Sequence, residues 1–108
     1  MDVKELIEKL DLKVLCGEDF SKNINGCYCG DLLSWVMSRA QEGDIWLTVM
    51  GNINSIGVAV LADVACIVLT ENAALDADAL NRAKQNDVFI LQTEKNSYQM
   101  AAAISQLI

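Results

Sequence analysis

Three short runs of almost unbroken apolar residues decide most of what this chain can become. They are Ile45 to Met50 (Ile-Trp-Leu-Thr-Val-Met), Cys66 to Thr70 (Cys-Ile-Val-Leu-Thr) and Val88 to Leu91. Each is too short for a buried helix and carries β-branched side chains, so each reads as a strand, the first two covered on both faces. Between the first two lies a turn, Gly51 to Asn54, with Asn52 or Asn54 as N-cap of a helix that reaches Asp63. Between the second and third, Asp76 to Asn86 is helical, with Leu75, Ala79, Leu80 and Ala83 facing inward. Strands alternating with helices through short turns imply right-handed βαβ units and a parallel sheet covered on both sides.

The flanks extend this pattern. Asp2 followed by Glu5 predicts a capping box, and Val3, Leu6, Ile7 and Leu10 then share one helical face. Leu12 to Leu15 is a short strand, Gly17 to Asn25 is loop, and Gly26 to Gly30 is either a strand or a turn. Asp31 is expected to cap a helix through Ala40, with Leu32, Leu33, Val36, Met37 and Ala40 on its inner side. Asn96 and Gln99 cap a last helix whose apolar side is Met100, Ile104, Leu107 and Ile108. The fold class expected is three-layer α/β/α with a mainly parallel sheet of four to five strands. The elements fill residues 1–108 as one domain.

Composition narrows function. The net charge is −7, with only two arginines, Arg39 and Arg82, which disfavours nucleic acid as a partner. Histidine is absent, removing the commonest general base and the commonest zinc ligand. No apolar segment near the start has the length of a signal-peptide core. The longest apolar stretch, Ile56 to Ala62, is about a third of a ~20-residue bilayer span. A cytoplasmic chain with free thiols and no membrane contact is expected.

In an open parallel sheet, ligands bind beyond the carboxyl ends of the strands. Those ends carry Gly51, Asn52, Asn54 and Ser55, then Thr70, Glu71 and Asn72, then Thr93, Glu94 and Lys95. The helix after Asn54 offers free N–H groups to an anion. Met50 to Gly57 is nevertheless neither G-x-G-x-x-G nor a Walker A loop, lacks a cation, and faces Glu71 and Glu94. A tight polar turn is the plainer reading, and no cofactor is expected.

Cys27-Tyr28-Cys29 places two thiols on one face if extended, with Cys16 able to approach and Cys66 held mid-sheet. Metal sites usually need about four ligands, so structural thiols are favoured over a metal or redox site. Nothing cationic in the nearby sequence lowers a thiol pKa for catalysis. The carboxylates are scattered: Glu5 pairs with Lys9 at i,i+4, while Asp76 and Asp78 suit a helix first turn. With no nucleophile–base pair, the chain reads as non-enzymatic.

The helix Ser55 to Asp63 is apolar all round, with Ile56, Val60 and Val64 on one face and Val58, Leu61 and Ala62 on much of the other. A helix of that kind needs cover on all sides. The cover is either neighbouring helices of the same chain or a second copy; the second copy is favoured, giving a homodimer through Ile56, Val58, Ala59, Leu61 and Ala62. Trp35, off the inner stripe of its own helix, is either a further candidate anchor or simply a partly exposed ring.

The stretch Gly43 to Val49, then a turn and an alanine-containing helix, then Ala65 to Thr70 and Asp76 to Val88, resembles a DRTGG domain. Val3 to Leu10, Leu12 to Gly17 and the Gly30-Asp31-Leu32-Leu33-Ser34 step are similar to stand-alone versions. The family's Asp-Arg pair is missing at Gly51-Asn52-Ile53-Asn54, and its two glycines are replaced by Glu71-Asn72 after Thr70. The resemblance implies a fold like the N-terminal domain of HPr kinase/phosphorylase, without the kinase's separate P-loop domain. It also implies a regulatory or dimerising module of the kind found beside CBS domains in some pyrophosphatases. Stand-alone members resemble products of anaerobic bacteria, which implies a protein partner among enzymes of anaerobic metabolism.

Overall fold

Residues 1–108 are described by a computed structural model. The apolar runs form the middle of one five-stranded sheet. Its strands are β1 (Lys13–Cys16), β2 (Gly26–Cys29), β3 (Asp44–Thr48), β4 (Cys66–Leu69) and β5 (Ile90–Gln92). Their spatial order is β1-β5-β4-β3-β2. β2, β3, β4 and β5 are parallel neighbours in chain order, while β1 lies antiparallel to β5 at one edge. Every residue of β3 and β4 is buried, as their apolar middles require, and the polar ends of β3, Asp44 and Thr48, are hydrogen-bonded to the Gln41 N–H and to Asp31.

Five helices cover the sheet: α1 (Val3–Leu10), α2 (Leu33–Arg39), α3 (Ile53–Ala62), α4 (Ala77–Gln85) and α5 (Ser97–Ser105). Successive residues of a strand point to opposite faces, which divides the core in two. On one side Ile45, Leu47, Cys66, Val68 and Leu91 pack with Val3 and Leu6 of α1 and Met100 and Ile104 of α5. On the other, Trp46, Ile67, Leu69 and Ile90 pack with Val36 of α2, Ile56, Val58 and Ala59 of α3, and Ala79 and Ala83 of α4. The three consecutive crossovers thus leave α2, α3 and α4 on one face, as a single hand of βαβ connection demands.

Local chemistry sets the helix ends. The Glu5 N–H donates to Asp2 Oδ1 at 2.9 Å. Asn96 and Gln99 form a reciprocal capping box at the start of α5. Asn52, the first of the two expected caps, accepts from the N–H groups of Asn54 and Ser55. Two expectations change at α2. Its N-cap is Leu32, with no side-chain bond, because Asp31 is engaged elsewhere. Leu32 and Met37, expected inside, are 58 % and 48 % exposed, since seven residues of helix present only a narrow stripe around Val36 to the sheet. The ambiguous Gly26–Cys29 segment is a strand, fixed by its pairing with Asp44 to Leu47.

Candidate functional site

The carboxyl ends of β2 to β5 meet in one rim. Asp31, just beyond β2, accepts through one oxygen from the Thr48 hydroxyl at 2.8 Å and from the Val49 N–H at 3.0 Å. Thr48 Oγ1 accepts in turn from the Met50 N–H at 3.2 Å. The buried Ser55 hydroxyl donates to the Met50 carbonyl at 2.6 Å. Gly51 lies against the β4–α4 connection: a Cβ there would overlap the Ala74 carbonyl oxygen, and the Gly51 carbonyl accepts from the Asp76 N–H at 2.8 Å.

The helices after β4 and β5 depart to opposite faces of the sheet, which is where an open α/β sheet forms its binding crevice. Here that crevice is stitched shut. The fully buried Thr70 hydroxyl lies 3.0 Å from the Ser97 hydroxyl at the start of α5. The Glu71 N–H donates to the Lys95 carbonyl and the Asn72 N–H to the Thr93 carbonyl, both at 2.8 Å. Gln92 Nε2 reaches the Ala73 carbonyl at 2.9 Å. Glu71 and Asn72 both have positive φ, 56° and 55°, and the Ala73 N–H returns to the Thr70 carbonyl at 3.0 Å. This is the geometry of a type I′ turn, which glycine pairs adopt without strain.

Of the residues expected at the rim, Gly51, Asn52, Asn54 and Ser55 gather around the start of α3, while Thr70, Glu71 and Thr93 gather at the β4–β5 end. The α3 N–H groups of Asn54 and Ser55, expected to be open to an anion, are taken by Asn52 Oδ1 at 3.0 and 3.2 Å. Asp31, Thr48 and Ser97 are rim residues not foreseen. For Asp31 the only sequence signal is its place directly after the Gly26 to Gly30 segment. A cleft of about 710 Å³ lies at the opposite end of the sheet, between β1 and α4, lined by Val14, Cys16, Ala83, Lys84, Asp87 and Phe89.

All four cysteines are free. Cys27 pairs in register with Ile45, and Ile45 with Cys66, so Cys27 and Cys66 share the α1/α5 face. Cys16 lies in the opposite layer. The expected approach of Cys16, with Cys66 excluded, is therefore reversed: strand alternation sends Cys16 to the wrong side. Burial, followed by the neighbouring Cys29, pushes the Cys27 thiol up to about 12. Complete burial, followed by Cys27, does the same to Cys66, also to about 12. Burial also raises Cys16, against an opposing pull from Lys84. No group of three or more metal-holding side chains converges.

On the α2–α4 side the apolar circumference of α3 is largely absorbed by its own chain. Ile56, Val58 and Ala59, expected at an interface between copies, are buried at 1 %, 7 % and 3 % exposure by the sheet and the flanking helices α2 and α4. Ala62 is half-buried, Leu61 is 72 % exposed, and Val60 is 47 % exposed although Ile56 and Val64, grouped with it on one face, are buried. Trp35 is 51 % exposed, with the Arg39 guanidinium 3.7 Å above its ring. No helix is long and apolar enough to cross a membrane.

The chain belongs to the DRTGG domain family, whose sequence profile matches residues 5–107. No curated protein matches it in sequence. Among solved structures it is similar to the CBS and DRTGG domains of the regulatory region of Clostridium perfringens pyrophosphatase, complexed with the activator diadenosine tetraphosphate. The identity is 14 %, the TM-score 0.71, and the match covers 97 % of this chain and 46 % of that one. The chain thus spans about half the length of that regulatory region.

Proposed function

We propose that this chain is a non-catalytic regulatory and protein-interaction module of the cytoplasm, which associates with itself and acts on an enzyme partner. The observation that carries this is where its surface chemistry lies. The strand-end rim spends its polar groups on side chains and backbone of its own chain, whereas Trp35, Val60 and Leu61 stay exposed on α2 and α3. Exposed side chains of this size on neighbouring helices suit a protein contact. The regulatory setting of the similar pyrophosphatase domains supports a partner that is an enzyme. Light scattering across a micromolar dilution series tests self-association: a concentration-dependent dimer is expected, and a monomer throughout would overturn it. Capture from the native host, followed by assay of the captured enzyme with and without the chain, tests regulation.

A second reading is favoured by the nucleotide activator bound to the similar regulatory region. In it, the rim formed by Gly51, Asn52, Asn54, Ser55, Thr70, Glu71 and Thr93 takes a nucleotide or other anion. Asn52 would have to release the α3 N–H groups, and Glu71 to turn away. A nucleotide present at a hundredfold over its Kd adds about 2.7 kcal/mol of stability. A thermal-shift screen with no response to any nucleotide removes this reading.

A further inference from the structure

Gly57 stands at the middle of α3 on its exposed side, and a Cβ built on it meets nothing within 4 Å. The other five glycines would each bring a Cβ to 3.1 Å or closer of an atom in the same chain. Glycine is the residue least suited to a helix interior after proline. Nothing in its own chain calls for Gly57, so what it spares is space outside the chain. Its helical neighbours Asn54, Val60 and Leu61, at i−3, i+3 and i+4, are all exposed and form one face with it.

The charge distribution says what suits that face. α3 carries no charged residue from Ile53 to Ala62, in a chain of net charge −7. Two copies repel each other over most of their surfaces, and least where neither presents a carboxylate. The exposed Asp63 caps the carboxyl end of α3. When two α3 helices cross antiparallel, each Asp63 sits beside the amino end of the other helix, where the helix dipole favours an anion.

Resting on the self-association proposed above, we infer that Gly57 is the point at which α3 of a second copy crosses α3. The missing side chain lets the two backbones approach, and Val60 and Leu61 of each copy pack against the other helix. The contact is isologous, with the same face on both sides.

The test is the dimer dissociation constant, from light scattering over a dilution series, for wild type, Gly57→Ala, Gly57→Leu and Leu61→Asp. Tyr98→Asp on the opposite side of the sheet is the control, and melting at the lowest concentration checks folding. Gly57→Ala is expected to melt higher as a monomer yet dimerise at least tenfold more weakly. Gly57→Leu and Leu61→Asp are expected to stay monomeric, and Tyr98→Asp to match wild type. A wild type that never dimerises overturns both this inference and the self-association beneath it. A wild-type dimer whose dissociation constant is unchanged by Gly57→Ala and Gly57→Leu overturns this inference alone.

Discussion

Asp31 and Thr48 are joined across the ends of β2 and β3 by a 2.8 Å hydrogen bond from a hydroxyl that is wholly buried. The same carboxylate oxygen holds the Val49 N–H, so one side chain fixes the direction in which the chain leaves β3. Replacing Asp31 with alanine leaves the Thr48 hydroxyl without an acceptor. A loss of about 1–3 kcal/mol is expected in urea denaturation, with Asp31→Asn losing less because its carbonyl oxygen still accepts. Equal losses for the two variants would show that the hydrogen bond is not the cause.

Gly51 supplies a steric test of the same rim. Its α-carbon leaves no room for a methyl group beside the Ala74 carbonyl. Gly51→Ala is expected to cost about 3 kcal/mol, the upper range for overpacking, because the obstacle is backbone rather than a side chain that can rotate away. Gly57→Ala, with open space around it, is expected to raise monomer stability instead. Thermal melts of the pair at low concentration should move in opposite directions.

The turn after β4 carries a conformational cost that substitution can relieve. Glu71 has a φ of 56°, a left-handed conformation that disfavours a residue with a Cβ by about 1–2 kcal/mol. Glu71→Gly removes that penalty and adds some unfolded-state entropy, so a net gain of up to about 1 kcal/mol is expected. Asn72→Gly should gain less, since asparagine tolerates this region. If Glu71→Gly destabilises, the turn does not have the shape described.

Cys66 makes stability depend on alkaline pH. Its thiol remains protonated in the fold up to about 12, because of burial, against an ordinary value of 9.0. Below the ordinary value both folded and unfolded chains hold the proton, and the contribution is fully present. As pH rises from about 9 toward 12 the unfolded chain alone ionises, and about 1 kcal/mol is lost per pH unit. Urea midpoints measured at pH 7, 9, 10 and 11 should fall more steeply for wild type than for Cys66→Ala. Parallel declines would remove Cys66 as the source.

The parts of this fold that were legible in the sequence are those whose cause is local. The apolar runs of β3 and β4 and the caps at Asp2, Asn52 and Asn96 are written in neighbouring residues. β2 was ambiguous because Gly26 to Cys29 becomes a strand through Asp44 to Leu47, far away in the chain. The expected cap at Asp31 failed for a related reason: a carboxylate has several possible donors, and Thr48 and Val49 reach it first. At the rim, the positions of Gly51 and Thr70 followed from strand ends, but their closure through Ala74 and Ser97 depends on loops that meet only in three dimensions. The outward side of α3 is not legible in the sequence because periodicity gives a helix's stripes and not its neighbours. Val58 is covered and Val60 is not.

The β1–β5 pairing sets Lys13 opposite Gln92, whereas every other strand pair joins consecutive strands of the βαβ series. Closing so large a ring costs chain entropy that the nearer pairings are spared. Val14 and Cys16 also meet their partners through an irregular register. The β1 margin is therefore where amide exchange should begin, a hem that loosens while β3 and β4 stay closed.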